Sequence, residues 1–593
     1  LAGAEYADGA IEGDGLRCLK TFHRERQTPV WTFNVMGSVL EKRVIAPHGQ
    51  NTVYIHYRLR EGSPVRLRLR PFITCRLHDA PLSERAASAY PLTIMDDRYD
   101  IALPDAMPSL KLGLRPQSGL FVADARVSAN VSYRVDRDRG SDHVEDLFSP
   151  GYFAAELSPR HPMAMVFSVE PWERLESDPS EIFEAERRRL DTLRSPSPDP
   201  ERDDFAGQLM LAADQFIVMP AARPQDQVMA HASGDEARTV IAGYHWFGDW
   251  GRDTMISLEG LTLCTGRHHE AKAILRTFAR HIKDGLIPNL FPEGAREGLY
   301  HTADATLWYF HALDRYLSRT GDRDTLRMLY PLLKEVIHRH REGTSFHIGV
   351  DPEDGLLHAG AAGYQLTWMD AKVDDWVVTP RRGKPVEIQA LWYNALRLME
   401  VWAEETGERG NAWRKVADRA EASFHRRFWY EPGGYLYDVV DGEGGDDASL
   451  RPNQIFSLSL RFPVLRPERW RPVVHVVTTS LLTPFGLRSL SPAHQDYKPV
   501  YSGDLRARDA AYHQGTVWAW LIGHYVDARL RVDDDRAAVH GLLAAFRTHL
   551  EDAGIGTISE IFDAEPPYRP RGCIAQAWSV AEVLRAHLKT RSR

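Results

Sequence analysis

The chain has 593 residues, 43% hydrophobic and 26% charged, which is ordinary for a globular protein with room for a large core. A net charge of −9 excludes the basic face that nucleic-acid binding needs. Cys18, Cys75, Cys264 and Cys573 are scattered without a CxxC pair, and no apolar run reaches the roughly 18 residues of a membrane span. The expectation is a protein of a reducing cytoplasm with no metal and no cofactor. No signal peptide is visible, although the chain begins at Leu1 without a Met.

From about 20 to 175 the pattern alternates. Val53, Ile55, Tyr57 and Leu59 interleave with Tyr54, His56 and Arg58, and Val65, Leu67 and Leu69 with Arg66, Arg68 and Arg70. Period-two runs broken by Gly, Pro and Asp predict antiparallel strands with one wet face, hence a β-sandwich over 1–180. "EIFEAERRRLDTLR" then reads as a polar helix and "SPSPDPERDD" as a linker, together spanning 181–203.

From 204 to 593 the period is helical, with about twelve segments. They lie near 203–219, 252–264, 268–283, 302–319, 323–341, 386–405, 410–428, 450–460, 466–480, 513–530, 534–552 and 575–590. The connections alternate between short, plain turns and long loops rich in aromatics, acids and glycines. Six hairpins with one elaborate loop each predict an all-α (α/α)6 toroid whose pocket lies at the loop end.

Those loops hold many acids, among them Asp249, Asp253, Glu293, Asp304, Asp370, Glu387, Asp509 and Glu560, beside Trp246, Trp250, Trp368 and Trp376. Carboxylates among indoles suit a sugar, whose C–H faces pack on aromatic rings and whose hydroxyls bind carboxylates. Glycoside hydrolysis needs two carboxyls, one protonated and one ionised. Asp370, in "QLTWMDAK", falls in the third elaborate loop and Glu560, in "TISEIF", in the sixth. In a ring of six these loops face each other, as an inverting hydrolase requires.

Plainer readings stand beside these. Asp370 also reads as a loop acid or cap, Glu560 as an outward residue of a short strand, and Asp249 or Asp253 as an N-cap. Otherwise Asp249, Arg252 and Asp253 hold sugar hydroxyls. His513 and Gln514, in "AYHQGTVWAW", read as structural or as sugar contacts. Trp368 either keeps water from the acid or stacks on the sugar, and Lys372 opposes the acid if it points the same way. "DVVDGEGGDDAS" lacks EF-hand spacing, and there is no GxSxG or HExxH.

"WFGDWGRDTMISLEGL", "GLIPNLFPE", "YHTADATLW", "TWMDAK", "PVEIQALWYNAL", "RPNQIFSLSL", "LLTPFGLRSL" and "YHQGTVWAW" occur in this order over about 240–590. They resemble the glycogen debranching enzyme family in its amylo-α-1,6-glucosidase part. "EKRVIAPHGQNTVYIHYRL" is similar to the sandwich that precedes the toroid in bacterial and archaeal members. The resemblance implies an inverting exo-acting glucosidase that removes single α-1,6-linked glucose stubs, with Asp370 as general acid and Glu560 as general base. Trp246, Trp250, Trp368, Lys372, Glu387, His513 and Gln514 join Asp249, Arg252 and Asp253 as expected substrate contacts. The first 200 residues are strand-patterned and shorter than the roughly 250 residues of an (α/β)8 barrel, so the glucanotransferase domain of longer members is not expected in this chain.

Three alternatives remain: another inverting α-glucosidase of glucoamylase or trehalase kind, a glycan-binding protein without turnover, and a sugar phosphorylase. The last needs a phosphate site from Arg252, Lys372, Arg381 and Arg382. The expected partner is an α-glucan or oligosaccharide, and the oligomeric state is open.

Overall fold

Period-two alternation in the first third of the chain becomes two facing sheets. The computed structural model describes residues 3–76, 80, 82, 90–104, 107–117, 119–175, 177–196, 204–292 and 297–591. Its contacts divide the chain into Leu1–Ser195 and Pro196–Arg593.

The strands of the two main sheets of the first unit are β1 (Leu19–Glu25), β2 (Thr28–Val35), β3 (Ser38–Ile45), β4 (Thr52–Glu61), β5 (Val65–Leu69), β6 (Leu92–Met95), β7 (Arg98–Ile101), β8 (Leu110–Arg115), β9 (Gly119–Ser132), β10 (Val144–Leu157) and β11 (Met163–Ser168). One sheet runs β1-β2-β3-β4-β11-β8-β7-β6 and the other β9-β10-β5. Leu40, Leu59, Leu112 and Met165 from the first meet Leu69, Phe148, Phe153 and Leu157 from the second in one core.

The other face of the large sheet is not left wet as the alternation suggested. Tyr54, Ala164 and Val166 pack there with Trp172 and Leu175, and Ile182 and Phe183 of α1 (Pro179–Arg194) close over them. The helix expected to act as a linker is therefore part of the sandwich, because its Ile and Phe need an apolar partner. Asp178 caps it by accepting from Ser180 N at 2.8 Å. Of the expected linker, 197–203 lie outside the described residues.

In the second unit, besides a short helix Pro224–Ala232, the helices are α2 (Asp204–Asp214), α3 (Gly251–Leu261), α4 (His268–Arg280), α5 (Ala305–Thr320), α6 (Arg323–Glu342), α7 (Val386–Glu405), α8 (Asn411–Arg427), α9 (Phe456–Ser459), α10 (Trp470–Ser480), α11 (Leu505–Tyr512), α12 (Leu521–Val532), α13 (Arg536–Gly541), α14 (Ala544–His549) and α15 (Ala577–Arg591). Contacts run α3–α5–α7–α9–α12–α15 and back to α3, a closed inner ring of six helices. α2, α4, α6, α8, α10 and the α13–α14 pair alternate with them in sequence as the outer helices. Composition explains the division. α7 buries residues around its whole circumference, whereas α8 buries only Trp413, Ala417, Ala420, Ser423 and Phe424, one stripe at helical spacing.

Each elaborate loop leads into the N-terminus of an inner helix, so all six gather at one end. Three details differ from the periodicity. The expected 450–460 helix opens with a 3-10 turn, Pro452–Ile455, whose Pro stands at the first position. The helix expected from 513 begins at Leu521, because Val517–Trp518 is a strand. That strand belongs to a small sheet in the order Leu482–Thr483, Gly486–Arg488, Val517–Trp518, Ile561–Phe562, Pro570–Arg571. The third is α11, a helix inside the fifth loop, capped by Asp504 through Ala507 N at 2.8 Å.

The ring closes tightly. A Cβ on Gly260 of α3 would lie 2.5 Å from Ala581 Cα and closer still to its carbonyl on α15. Gly260→Ala must push these inner helices apart, so it should cost roughly 1–3 kcal/mol or more of stability. A denaturation midpoint equal to that of the parent would disprove this close approach.

Candidate active site

The third loop sets the stage. Trp368 is 2% exposed and stands edge-on to His513, Trp518 and Trp520, with ring centroids 5.2–5.4 Å apart. Its indole N–H donates to Asn453 Oδ1 at 2.7 Å. The ring is therefore enclosed by protein. So enclosed a ring does not offer the expected stacking face to a sugar; instead the indole anchors the loop through Asn453.

Asp370 retains 29% of its side-chain surface, unlike its buried neighbours. Arg252 Nη1 donates to its Oδ2 at 2.8 Å. Arg252 Nε donates to both oxygens of Asp304 at 2.9 Å, and Nη2 to the Thr367 carbonyl at 3.0 Å. Burial works against the Arg252 charge, but Asp304, Asp370 and Asp253 outweigh it and push its pKa above the ordinary value. For Asp370 the balance goes the other way. Loss of its water shell raises the pKa, Arg252 pulls it down, Asp304 adds to the rise, and the net direction is up.

Glu560 is held from the opposite side of the ring. It precedes the Ile561–Phe562 strand, and its side chain is buried. Oε2 accepts from Cys573 N at 2.9 Å, and Oε1 accepts from the Tyr512 hydroxyl. Gly572, at φ +64°, is the residue beside this carboxylate, and a Cβ there would collide with Oε2.

Asp253 links the two. Burial pushes its carboxyl up to about 8 against the pull of Arg252, with Asp370 and Glu560 adding to the rise. Asp509 is pushed up to about 6 by burial against Arg508, with Asp370 again contributing. Four carboxyls thus share one field, and like charges this close do not all ionise together. The cap reading fails for Asp249 and Asp253, since α3 has no side-chain cap. Asp253 instead sits in the first turn, and Asp249 accepts from Arg223 Nη1 at 2.6 Å.

The other expected contacts divide. Trp246 and Trp250 are half-buried at the loop end and keep surface for a ligand. Glu387 does not: both its oxygens accept from buried Arg381, which also donates to Asp438 at 2.7 Å. Arg381 therefore pins the third loop to the fourth through Asp438, with Glu387 as its second anion. His513 is fully buried, stacked on Trp518 at 5.1 Å, and its Nδ1 accepts from Ala371 N at 3.4 Å. Burial, helped by Arg451, Arg252 and Arg381, drives its pKa well below the ordinary value, so the ring is neutral. Gln514 accepts from Arg451 Nη2 at 2.7 Å. His513 and Gln514 thus support the site from behind rather than reach a sugar. Lys372 is exposed and donates to the Gly363 carbonyl at 2.9 Å, away from the acid. Glu293 lies outside the described residues.

Two groups at the site carried no assigned role in the sequence: Tyr512 and the Cys573 backbone N–H. Tyr512 had a signal in the three-residue spacing Arg506, Asp509, Tyr512, which reads as one helix face. Among the described residues no three His, Cys, Asp or Glu are grouped to hold a metal ion, and no helix is long and apolar enough to cross a membrane.

The family model described as amylo-alpha-1,6-glucosidase matches residues 211–585, more than half of the chain. The chain belongs to the amylo-alpha-1,6-glucosidase family. Its residues 1–164 match the model described as glycogen debranching enzyme N terminal. Among curated relatives of this amylo-alpha-1,6-glucosidase family chain, glycogen debranching enzyme of Saccharomyces cerevisiae is 27% identical over 392 residues. That alignment covers 50% of this chain and 25% of the yeast protein, so the chain spans about a quarter of its relative's length. A bacterial glucoamylase solved with acarbose aligns at TM-score 0.64 and 12% identity, covering 99% of this chain and 88% of that one. This likeness establishes the sandwich and (α/α)6 toroid folds. The mannosylglycerate hydrolase of Thermus thermophilus aligns at TM-score 0.45 and 14% identity over 61% of this chain and 98% of its own.

Asp253 should carry a proton at neutral pH. Infrared titration should show a protonated-carboxyl band lost with a midpoint of about 8 and absent from Asp253→Asn. A band unchanged in that variant would refute the assignment.

Proposed function

We propose that this protein is an inverting, exo-acting glycoside hydrolase that releases glucose from α-1,6-linked stubs of glycogen or a related α-glucan. The observation that carries the reading is the pair Asp370 and Glu560, on the third and sixth loops of the ring, in one electrostatic field through Asp253. The family membership and the motif order support the same substrate class.

Asp370 acts as the general acid. Arg252 occupies Oδ2, so the proton belongs on Oδ1, the oxygen that can meet the glycosidic oxygen. As the C–O bond breaks, the proton passes to the leaving hydroxyl, and Arg252 stabilises the carboxylate that remains. Burial keeps Asp370 protonated above the usual carboxylate range. Glu560 accepts a proton from water, which attacks the anomeric carbon from the face opposite the leaving group. Inversion requires roughly 6.5–9.5 Å between the carboxyls to admit that water. Loops on opposite sides of the ring suit this spacing. The α-linkage then yields β-glucose. Trp246 and Trp250 offer aromatic faces to the sugar, and Asp249, Arg252 and Asp253 line the same end.

Asp370→Asn and Glu560→Gln should each lower kcat by about 10²–10⁴. A variant near parental rate would refute its assignment. Proton NMR in early turnover should show β-glucose first, and α-glucose first would rule out inversion. A panel of isomaltose, panose, limit dextrin, maltose and trehalose should favour the α-1,6 substrates. Preference for maltose or trehalose would place the chain with the other toroid glucosidases. Activity should fall as pH rises through the raised pKa of Asp370, since only its protonated form donates.

A further inference from the structure

Helix α11 carries Arg506, Asp509 and Tyr512 at three-residue spacing, which puts them along one face. The Arg506 guanidinium lies 4.6 Å over the Trp376 ring, in the hairpin that follows Asp370. One turn on, Asp509 is half-buried and senses the charge of Asp370. At the last turn, the Tyr512 hydroxyl donates to Glu560 Oε1. A two-turn helix therefore runs from the hairpin that follows Asp370 to Glu560, across opposite loops.

We propose that α11 is a positioning strut for the reaction described above: Arg506 on Trp376 ties the helix to the hairpin after Asp370, and Tyr512 fixes the orientation of Glu560. This rests on the assignment of those two residues as base and acid. The Tyr512 ring is gripped by Tyr501 at 5.4 Å, His513 at 4.7 Å and Trp518 at 4.9 Å, so its hydroxyl cannot follow a drifting carboxylate. Burial, with Glu560, Tyr501 and Asp370, drives the Tyr512 pKa well above the ordinary value, and the hydroxyl remains a donor throughout the working range. Without it, Oε1 loses this donor while the Cys573 N–H still holds Oε2, so the carboxylate is less firmly oriented.

Other charges bear on both groups. Around Glu560 stand Asp253 on α3, Tyr501 in the fifth loop, and Tyr512. Around Asp370 stand Arg252 and Asp253 on α3, Asp304 ahead of α5, and Asp509 and Tyr512 on α11. Neutral His513 touches the backbone of Ala371. Among these, Tyr512 is the group that donates to Glu560.

A pH–rate profile tests both contacts. Tyr512→Phe keeps every ring contact and removes one charge-assisted hydrogen bond. It should lower kcat by roughly 10- to 100-fold with KM little changed. It should also move the acidic limb to higher pH, because a donor that favours the Glu560 carboxylate is gone. Arg506→Ala frees α11 from the Trp376 ring, so the Tyr512 donor is held less firmly and the acidic limb should move the same way by a smaller amount.

The profiles are measured on the full chain beside Asp370→Asn and Glu560→Gln, with thermal melts for each variant. If those two controls keep their activity, the acid–base assignment has failed. If they are inactive while Tyr512→Phe matches the parent, loses only KM, or loses kcat without moving its acidic limb, the strut is disproved. Should Tyr512→Phe melt without cooperativity, Arg506→Ala at its exposed position decides, and an unmoved acidic limb overturns the proposal.

Discussion

Arg252 is a fully charged group inside a protein, and such a cation survives only where anions surround it with good geometry. Asp304 supplies two oxygens and Asp370 one, and the Thr367 carbonyl takes a further N–H. This requirement draws three loops of the toroid together: the guanidinium comes from the start of α3, Asp304 from the start of α5, and Asp370 from the loop before α7. It also fixes one oxygen of Asp370, whose side chain keeps part of its surface exposed. The acid is placed by a charge balance. Removing Arg252 would leave Asp304 buried without its partner.

The inner ring separates stability from chemistry. Toward the C-terminal ends of its helices, away from the loops, Glu259 pairs with Arg315 at 2.9 Å and Asp527 with Arg585 at 2.8 Å, while Arg461 pairs with Asp314. These contacts tie neighbouring inner helices at the end where no sugar is expected. At the other end every inner helix begins with a long loop. Those loops are fastened by buried polar groups, such as Arg381 between Glu387 and Asp438, and Arg451 on Gln514. Such networks rigidify a surface only when their members are satisfied. Here they make a firm wall of residues that would otherwise look like ligands.

The small five-stranded sheet at the loop end has a similar purpose. It sets Trp518 opposite Ile561 and Ile561 opposite Arg571, which brings the fifth and sixth loops into register. Glu560 and Tyr512 meet as a consequence. The sheet is made of strands two or three residues long. Runs so short have no periodicity to read, which is why a helix was expected from 513.

By itself the sequence determined the strand-patterned first unit, the six helical pairs and the loops that bear the chemistry. These follow from local periods of two and about 3.6 residues, which survive without knowledge of neighbours. It also singled out Asp370 and Glu560, through loop order and motif resemblance. Only the tertiary structure decided which aromatics and acids face the pocket. Trp368 turned inward to Trp518 and Asn453, Glu387 to Arg381, and His513 to Trp518. Tyr512, one residue from His513, turned to Glu560 instead. Burial and hydrogen bonding are set by partners far along the chain, 118 residues away for the Arg252–Asp370 contact. No local pattern encodes such a partner, and the upward push on the Asp370 pKa comes from the burial that these distant residues create.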